Sequence, residues 1–167
     1  RRLNIEAIDL YYVHRRDTRV EIEEVSKTLA GFIKAGKVKA VGFSEIAPSS
    51  LRRAHAVHPV AAVQSEYSLS TRGPELGMIQ ACKDIGATFV AFSPVGRSLL
   101  TDRPHNRATA ESMDFLANNP RFMEPNLSEN LKFNAQFCGL AADLSISAAG
   151  LAIAWVLHPV SYTHLRA

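Results

Sequence analysis

The residue with the clearest capacity for chemistry is His14, which closes the apolar segment 7–14 (AIDLYYVH). Histidine is the side chain whose charge changes near neutral pH, so an imidazole at a strand end can pass a proton to or from a ligand. Taken alone, His14 is explained at least as well as an ordinary strand-end residue with satisfied hydrogen bonds. The surrounding sequence must decide between these interpretations.

Other reactive patterns are weaker. The segment 42–46 (GFSEI) begins like the G-x-S-x-G turn that carries the nucleophilic serine of many hydrolases. It ends in Ile where that turn needs Gly, which disfavours hydrolase chemistry. His55 and His58 have helical i, i+3 spacing, but no third ligand is spaced near them. Cys82 and Cys138 form no C-x-x-C metal clip, and Cys82 is interpreted as a packed helix residue. No metal site is predicted.

The elements that position these residues follow from the spacing of apolar side chains. The first strand, 7–14, is typical of a strand buried on both faces. Four strands are predicted in all, at 7–14, 38–44, 61–67 and 88–93. Helical spacing separates them, and helices are predicted at 21–35, 48–57, 74–85, 127–142 and 147–158. The segment 94–126 has no clear period and is predicted to be a long functional loop.

Repeated strand–helix units indicate a parallel sheet, for which two architectures remain open. An open doubly wound sheet that binds a dinucleotide should carry G-x-G-x-x-G after its first strand, and this chain has none. A (β/α)8 barrel typically needs about 250 residues, and four strands cannot close one. The barrel interpretation therefore requires a fragment, which agrees with the missing initiator Met.

Four blocks resemble the middle of an aldo-keto reductase in order and spacing. They are residues 9–15 (DLYYVHR), 36–45 (GKVKAVGFSE), 62–69 (AVQSEYSL) and 92–97 (FSPVGR). Residues 53–59 (RAHAVHP) resemble a bacterial and fungal branch of that family. The resemblance covers about residues 3–158. It implies an α/β fold, a partial (β/α)8 TIM barrel truncated at both ends, in which the four strands are the fourth to seventh.

The resemblance also implies an activity, the NADPH-dependent reduction of an aldehyde or ketone to an alcohol. The family uses an Asp, a Tyr, a Lys and a His at the carboxyl mouth of the barrel, where Tyr is the general acid and Lys, held by Asp, lowers its pKa. His14 matches the catalytic histidine, which orients the substrate carbonyl and assists the proton relay. The other three residues would lie upstream, so the isolated chain is expected to be inactive.

The same resemblance assigns cofactor contacts. Ser44 and Gln64 match the groups that hydrogen-bond the nicotinamide carboxamide, and Phe92 matches an aromatic residue that stacks on the nicotinamide ring. Glu45 stands where many members have Asn, and an ionised Glu can accept from the carboxamide but cannot donate to it. Without the resemblance, Gln64 is equally a polar residue capping a loop and Phe92 a plain core aromatic.

The segment after the fourth strand resembles the loop that crosses the cofactor pyrophosphate. Gly96 allows close backbone approach, and Arg97 offers charge to phosphate, although Arg97 could instead be solvated. The residues assigned to this loop are Ser93, Pro94, Val95, Gly96 and Arg97. The rest of the segment, to about Asn126, resembles the variable loop that shapes the substrate pocket.

Charge, apolar content and cysteine number restrict the classes of partner and the location that the sequence predicts. The 167 residues carry a net charge of +3, from 19 basic and 16 acidic residues, with no basic stripe of the kind that binds nucleic acid. No apolar run approaches a membrane span, and residues 1–6 (RRLNIE) contain no apolar segment of the kind found in signal peptides. Two cysteines indicate a reducing compartment, and a cytoplasmic location is predicted. The expected partner is a small-molecule carbonyl substrate. The sequence fixes no oligomeric state.

The last residues depart from the family. Residues 1–160 are predicted to form the partial barrel domain, whereas 161–167 (SYTHLRA) do not match the family and are interpreted as a foreign or artefactual tail. The family would continue here to an eighth strand, which is therefore predicted to be missing.

Three functions remain open from the sequence. The first is the carbonyl reductase. The second is a non-catalytic, cofactor-binding regulatory barrel similar to potassium-channel β subunits, which the missing Asp, Tyr and Lys would distinguish. The third is an unrelated barrel that binds a phosphate ligand without redox chemistry.

Overall fold

The computed structural model describes residues 3–158 and the backbone of residues 163–166. These residues form two compact units. The first comprises residues 3–67, 72–92 and 163–166, and the second comprises residues 68–71 and 93–158. The predicted domain boundary between residues 160 and 161 lies outside the described residues.

One parallel sheet forms the centre of the first unit. Its strands follow each other in space in the order β1-β2-β3-β4-β5. The strands are β1 (Ile8–Val13), β2 (Val38–Ser44), β3 (Ala62–Glu66), β4 (Thr88–Phe92) and β5 (Thr163–Arg166). The four predicted strands are confirmed to within two residues at each end, because each is a short apolar run bounded by polar or turn residues.

The consecutive strand order decides between the two architectures left open by the sequence. A doubly wound sheet reverses its strand order at a switch point, whereas neighbouring strands of a (β/α)8 barrel follow one another in sequence. All four strand pairs here are parallel and join successive strands. The fold class is therefore α/β with the strand arrangement of a barrel segment, as predicted.

Helices α1 (Ile22–Lys34), α2 (Pro48–Val57) and α3 (Met78–Ile85) connect the first four strands. Their apolar stripes pack on one face of the sheet, since burial of about 25 cal/mol per Å² of apolar surface is what holds such layers together. The buried side chains include Ile22, Leu29, Leu51, Ala54, Met78, Ala81 and Cys82 from the helices and Phe43, Val63, Phe89 and Ala91 from the strands.

Strand β1 differs from its prediction. The sequence indicates a strand buried on both faces, but Leu10 is 38% exposed and Tyr11 is 40% exposed. The reason is position, because β1 is an edge strand of the described sheet and has a neighbour on one side only. Helix α1 covers part of it, where the Tyr11 ring meets Phe32 edge to face at 6.5 Å. Apolar composition alone cannot distinguish a central strand from an edge strand.

The fifth strand was not predicted. The sequence pattern predicts no strand after the last helix, whereas β5 pairs in parallel with β4, with Phe89 opposite Thr163 and Phe92 opposite Arg166. Four residues are too few to show a period, so the sequence pattern gave no signal for this strand. Of the predicted tail, residues 161, 162 and 167 lie outside the described residues.

The second unit contains helices α6 (Asn126–Asp143) and α7 (Ala148–Leu157), close to their predicted bounds. The segment before them is not the structureless loop that was predicted. It folds into α4 (Arg107–Glu111), α5 (Asp114–Ala117) and two 3-10 turns at Gly96–Ser98 and Pro120–Phe122. A small core holds it together, formed by Leu99, Ala110, Leu116, Phe122 and Leu127.

Side-chain hydrogen bonds cap two of the short elements in this segment. The Asn106 side chain accepts a hydrogen bond from the Thr109 amide at 2.9 Å, and the Asn119 side chain accepts one from the Arg121 amide at 3.1 Å. Such caps stabilise helices that are too short to form by themselves. Helices of four and five residues span barely one turn, which explains why no period was visible in the sequence.

Membrane-spanning potential is limited. Within residues 3–158 and 163–166, no single helix is both long and apolar enough to cross a bilayer, although the bent pair α6 and α7 meets that criterion together.

Candidate functional site

The strand register places the predicted site residues of the first unit on one face of the sheet. Ser44 lies opposite Gln64 in the β2–β3 pair, and Phe92 lies opposite Glu66, two residues beyond Gln64. Val13 lies opposite Phe43, so the residues that follow them, His14 and Ser44, are also level with each other. Because side chains alternate between faces, these four residues share the face opposite the helix-packed Phe43 and Val63.

Ser44 and Phe92 end their strands, His14 follows β1, and Gln64 lies two residues before the end of β3. Parallel α/β sheets and barrels bind their ligands towards this carboxyl side. Ser44 is 5% exposed and Gln64 is 8% exposed, so both present polar groups from a largely buried position. His14 is exposed and Phe92 half-buried. Buried polar side chains at a strand end need partners, which makes their hydrogen bonds informative.

Ser44 has one partner among the described residues. Its Oγ accepts a hydrogen bond from Nη1 of Arg15 at 3.2 Å, and the same nitrogen donates to the His14 carbonyl at 3.4 Å. The hydroxyl proton of Ser44 has no acceptor within the described part of the chain. A buried donor without an acceptor costs free energy unless a ligand supplies one. The donor set therefore fits a ligand that presents an acceptor at this strand end.

Arg15 was missed by the sequence reasoning as a site residue. It stands next to His14 in a block that was recognised, but only the histidine received a role. The sequence pattern carries no direct signal for this contact, because it depends on how β1 pairs with β2. Once that register is known, the residue after His14 falls beside the end of β2, within reach of Ser44.

Glu45 is engaged within the protein. Its Oε1 accepts a hydrogen bond from the backbone amide of Glu66 at 2.8 Å, and its own amide donates to the Gln64 carbonyl at 2.9 Å. Its φ of +52° lies in the left-handed region, which a non-glycine residue adopts at a cost. Glu45 thus ties the ends of β2 and β3 together around Gln64.

Tyr67 reinforces the same edge from the end of β3. The side chain is 1% exposed, and its ring meets Phe89 edge to face at 5.8 Å. Its hydroxyl donates to Glu75 at 3.0 Å, and its amide donates to the Phe92 carbonyl at 3.2 Å. Burial, and then the hydrogen bond to Glu75, raise the pKa of Tyr67 to about 12. Tyr67 therefore stays protonated and structural at physiological pH.

Close packing at Gly42 completes the strand ends. A Cβ at this position would lie 2.6 Å from the Tyr12 ring and 2.8 Å from the Ala62 carbonyl oxygen. Only glycine fits between the neighbouring strands here, so the approach of β2 to β3 two residues before Ser44 depends on it.

The predicted pyrophosphate loop belongs to the second unit and has a distinctive backbone. Ser93, Gly96, Arg97 and Ser98 all have positive φ values, of +52°, +59°, +56° and +86°. A Cβ at Gly96 would lie 2.9 Å from Oγ of Ser70, so this position requires glycine for space as well as for conformation. Turns of this kind point successive backbone amides into a concavity suited to anions. Pro94 and Val95 complete the segment.

The other candidate groups are committed elsewhere. Nδ1 of His55 accepts a hydrogen bond from the Val60 amide at 3.2 Å, which leaves the proton on Nε2 and no lone pair for a metal. Within the described part of the chain, no three His, Cys, Asp or Glu side chains cluster as metal ligands would. Burial raises the pKa of the Cys82 thiol to about 11, so Cys82 is a packed, unreactive residue.

A cavity of about 330 Å³ lies at the other end of the strands. Lys39 near the start of β2, Ala61 before β3, and His55 and His58 contribute to its lining. Because this end is remote from the strand ends that carry Ser44 and Gln64, the cavity is not part of the candidate site.

Comparison with known proteins agrees with this geometry. Residues 1–164 match the aldo/keto reductase family. The chain is 43% identical over 159 residues to a probable aldo-keto reductase 1 of Glycine max, covering 94% of this chain and 45% of that protein. It is 38% identical over 159 residues to the aldo-keto reductase str7 of Strobilurus tenacellus, covering 93% of this chain and 47% of that protein.

Solved structures share the fold. A glycerol dehydrogenase from Gluconobacter oxydans superposes with a TM-score of 0.79 at 28% identity, over 93% of this chain and 48% of that one. A thermostable aldo-keto reductase crystallised with the inhibitor epalrestat gives a TM-score of 0.72 at 22% identity, over 99% of this chain and 52% of its own, a likeness of fold alone.

The chain spans about half the length of the curated relatives it matches. The family match nevertheless covers nearly all of its residues and includes the ends of β1 to β4. On that match and those strand ends, this chain belongs to the aldo/keto reductase family.

Proposed function

We propose that this chain is part of an oxidoreductase that reduces an aldehyde or ketone to an alcohol with NADPH. The observation that carries the proposal is the row of His14, Ser44, Gln64 and Phe92 on one face of the sheet at its carboxyl end. A proton-transfer group, two polar groups and an aromatic ring are the groups that a nicotinamide-dependent reductase needs beside its substrate.

Each residue has a defined part in this proposal. Ser44 and Gln64 hydrogen-bond the nicotinamide carboxamide, and Phe92 offers a ring face for stacking on the nicotinamide. Glu45 contributes by holding the end of β3, through its bond to the Glu66 amide, and by accepting from the carboxamide with its remaining lone pairs. When bound, the dinucleotide supplies the hydride.

His14 is the proposed catalytic residue of this chain. Its imidazole hydrogen-bonds the substrate carbonyl oxygen, which fixes the direction of the carbonyl and provides a path for the proton that the alcohol gains. A general acid, and the groups that tune it, complete the reaction. In the family these are Tyr, Lys and Asp, which we propose are supplied by sequence beyond this chain. The 167 residues alone are accordingly proposed to be inactive.

The loop of Ser93, Pro94, Val95, Gly96 and Arg97 is a candidate phosphate-binding segment in its own right. The glycine required at position 96 supports that role, because it allows a ligand to approach the backbone closely. Arg97 adds a permanent positive charge. A cytoplasmic location is proposed on the two free cysteines, and a small-molecule carbonyl compound is the proposed substrate.

The test uses the longest gene product that contains this sequence. Sequencing and translating the genomic DNA on both flanks shows whether Asp, Tyr and Lys are encoded upstream. The purified product is then assayed for NADPH binding by fluorescence titration and for NADPH consumption with a panel of aldehydes and ketones. We expect both binding and consumption.

The variant His14→Gln separates catalysis from binding. It should lower kcat by about 10²-fold, because it removes a proton-transfer group, while the dissociation constant for NADPH changes less than twofold. His58→Gln, which alters a histidine near the opposite end of the sheet, is the matched control and should leave kcat unchanged. NADPH binding without consumption of any carbonyl compound would contradict the reductase and favour a regulatory barrel. Absence of NADPH binding would contradict both.

A further inference from the structure

The side chain of Arg15 lies beside the proposed carboxamide site. Nη1 of Arg15 donates to Ser44 Oγ at 3.2 Å while also donating to the carbonyl of its neighbour His14 at 3.4 Å. The guanidinium thus bridges the ends of β1 and β2. No other hydrogen bond to Ser44 Oγ occurs within the described part of the chain.

The chemistry of the two groups fixes the direction of this hydrogen bond. A guanidinium has five N–H donors and no acceptor, whereas a hydroxyl has one donor and two acceptor lone pairs. Ser44 must therefore accept from Arg15, and its own proton remains for a further partner. A nearby positive charge also polarises the O–H bond and strengthens it as a donor.

We propose that Arg15 is a positioning residue that occupies an acceptor lone pair of the Ser44 hydroxyl and directs its proton away from the guanidinium, so that this strand end favours a carbonyl oxygen over an amino group. The inference rests on the proposed function, in which the ligand is a nicotinamide dinucleotide. The carboxamide of that ligand carries both a carbonyl oxygen and an amino group. Arg15 acts through Ser44, and its role is to decide which of the two groups meets the serine.

Two dinucleotide probes and one fragment distinguish an effect of Arg15 on the carboxamide from electrostatic attraction between Arg15 and the phosphates. NADP+ carries the full carboxamide, and its 3-acetylpyridine analogue keeps the carbonyl oxygen but lacks the amino group. The fragment 2′-phospho-ADP-ribose carries all the phosphates but no nicotinamide. Dissociation constants for all three are measured by titration calorimetry on the longest gene product that contains this sequence.

The variant Arg15→Met should weaken binding of NADP+ and of the acetylpyridine analogue about three- to tenfold, the usual net effect of one hydrogen bond between neutral groups. Binding of 2′-phospho-ADP-ribose should change less than twofold. Arg15→Lys, which keeps a donor, should restore part of the loss. In a Ser44→Ala background, Arg15→Met should cause no further loss, because the two residues act as one unit.

Arg19→Met is the matched control. Arg19 lies in the same loop and pairs with Asp17, so its replacement removes an equal charge without touching Ser44. It should leave all three dissociation constants unchanged. Thermal unfolding of each variant checks that the fold is retained.

Three results would overturn the inference. An equal loss for the dinucleotides and the fragment would make Arg15 an electrostatic attractor of phosphate. Additive losses in the double variant would separate Arg15 from Ser44. If Arg15→Met weakened binding of NADP+ but not of the acetylpyridine analogue, the amino group of the carboxamide would be the partner of Ser44. In each case dinucleotide binding itself persists, whereas failure of the unmodified protein to bind any probe would refute the proposed function along with the inference.

Discussion

Hydrogen bonding differs between two neighbouring residues at the end of β2. Ser44 and Glu45 are consecutive at the end of β2, yet Ser44 keeps an unused donor whereas Glu45 uses a carboxylate oxygen on the Glu66 amide. The sequence placed both near a ligand by resemblance. It could not show how each is bonded, because the partners are 29 and 21 residues away in the chain.

Tyr67 offers a test at the level of one hydroxyl group. Its pKa is about 12 in the folded protein, against about 10 in an unfolded chain. Between these values the unfolded chain has lost the proton that the folded protein keeps, so the free energy of unfolding falls as pH rises. The contribution is complete below pH 10 and disappears as pH rises through 12. We expect Tyr67→Phe to remove this fall, which is worth about 2 kcal/mol.

The measurement is urea unfolding of the longest available gene product at pH 8 and pH 11.5. Tyr11→Phe, which removes a hydroxyl from an exposed ring, is the control and should behave like the unmodified protein. At pH 8 the Tyr67→Phe variant should also be less stable by about 1–2 kcal/mol, because Glu75 loses a hydrogen bond. Parallel losses in all three proteins between the two pH values would show that Tyr67 does not contribute.

Glycine substitutions test the elements. Gly42→Ala places a methyl group against the Tyr12 ring and the Ala62 carbonyl inside the sheet. We expect a loss of about 1–3 kcal/mol in the free energy of unfolding, since strand backbones cannot separate without breaking their ladder. Gly31→Ala is the matched control, because Gly31 lies in α1 with nothing within 4 Å of an added Cβ.

The control should shift stability in the opposite direction. Alanine favours a helix interior over glycine by about 0.5–1 kcal/mol, so Gly31→Ala should raise the midpoint of thermal unfolding while Gly42→Ala lowers it. Differential scanning calorimetry of both variants provides the comparison. A stability change of the same sign in both would mean that the close approach at β2 is relieved by movement of the strands.

Helices and strands were predicted correctly where they contain several apolar residues at regular spacing. Helix α1 and strands β1 to β4 each present several apolar residues at regular spacing, and their bounds were predicted closely. Prediction failed for α4, which spans about one turn and is capped by Asn106, and for α5, which has no side-chain cap and whose Leu116 is buried in a local core. It also failed for the exposure of β1, because burial depends on which strands lie beside it.

At the scale of the whole molecule, the exposed edge of β1 governs behaviour in solution. Leu10 and Tyr11 are partly exposed on this strand, whose outer backbone groups have no strand partner among the described residues. Unpaired strand edges with apolar side chains promote association between chains. We expect the 167-residue chain, expressed alone, to aggregate with increasing concentration.

A charge on the edge should reduce that association. Leu10→Lys places a charge on β1 and should lower light scattering at a given concentration several-fold. Leu76→Lys is the control, because Leu76 is 91% exposed but lies outside the sheet, so an equal change in net charge should have little effect. A monomeric chain with a single cooperative unfolding transition would contradict the expectation, as would equal improvement in both variants.

The order of the strands has a consequence for how the protein is made. Register partners in the first three strand pairs are roughly 20 to 30 residues apart in the chain, so each pairing closes a short loop at low entropic cost. A ribosome releases residues from the amino terminus, and each of these strands emerges beside a neighbour that is already available. Strand β5 must instead wait until the whole second unit has been synthesised before it can join β4. Until then the edge of β4 that β5 later covers is open, and we expect the nascent chain to be prone to association with other chains during this interval.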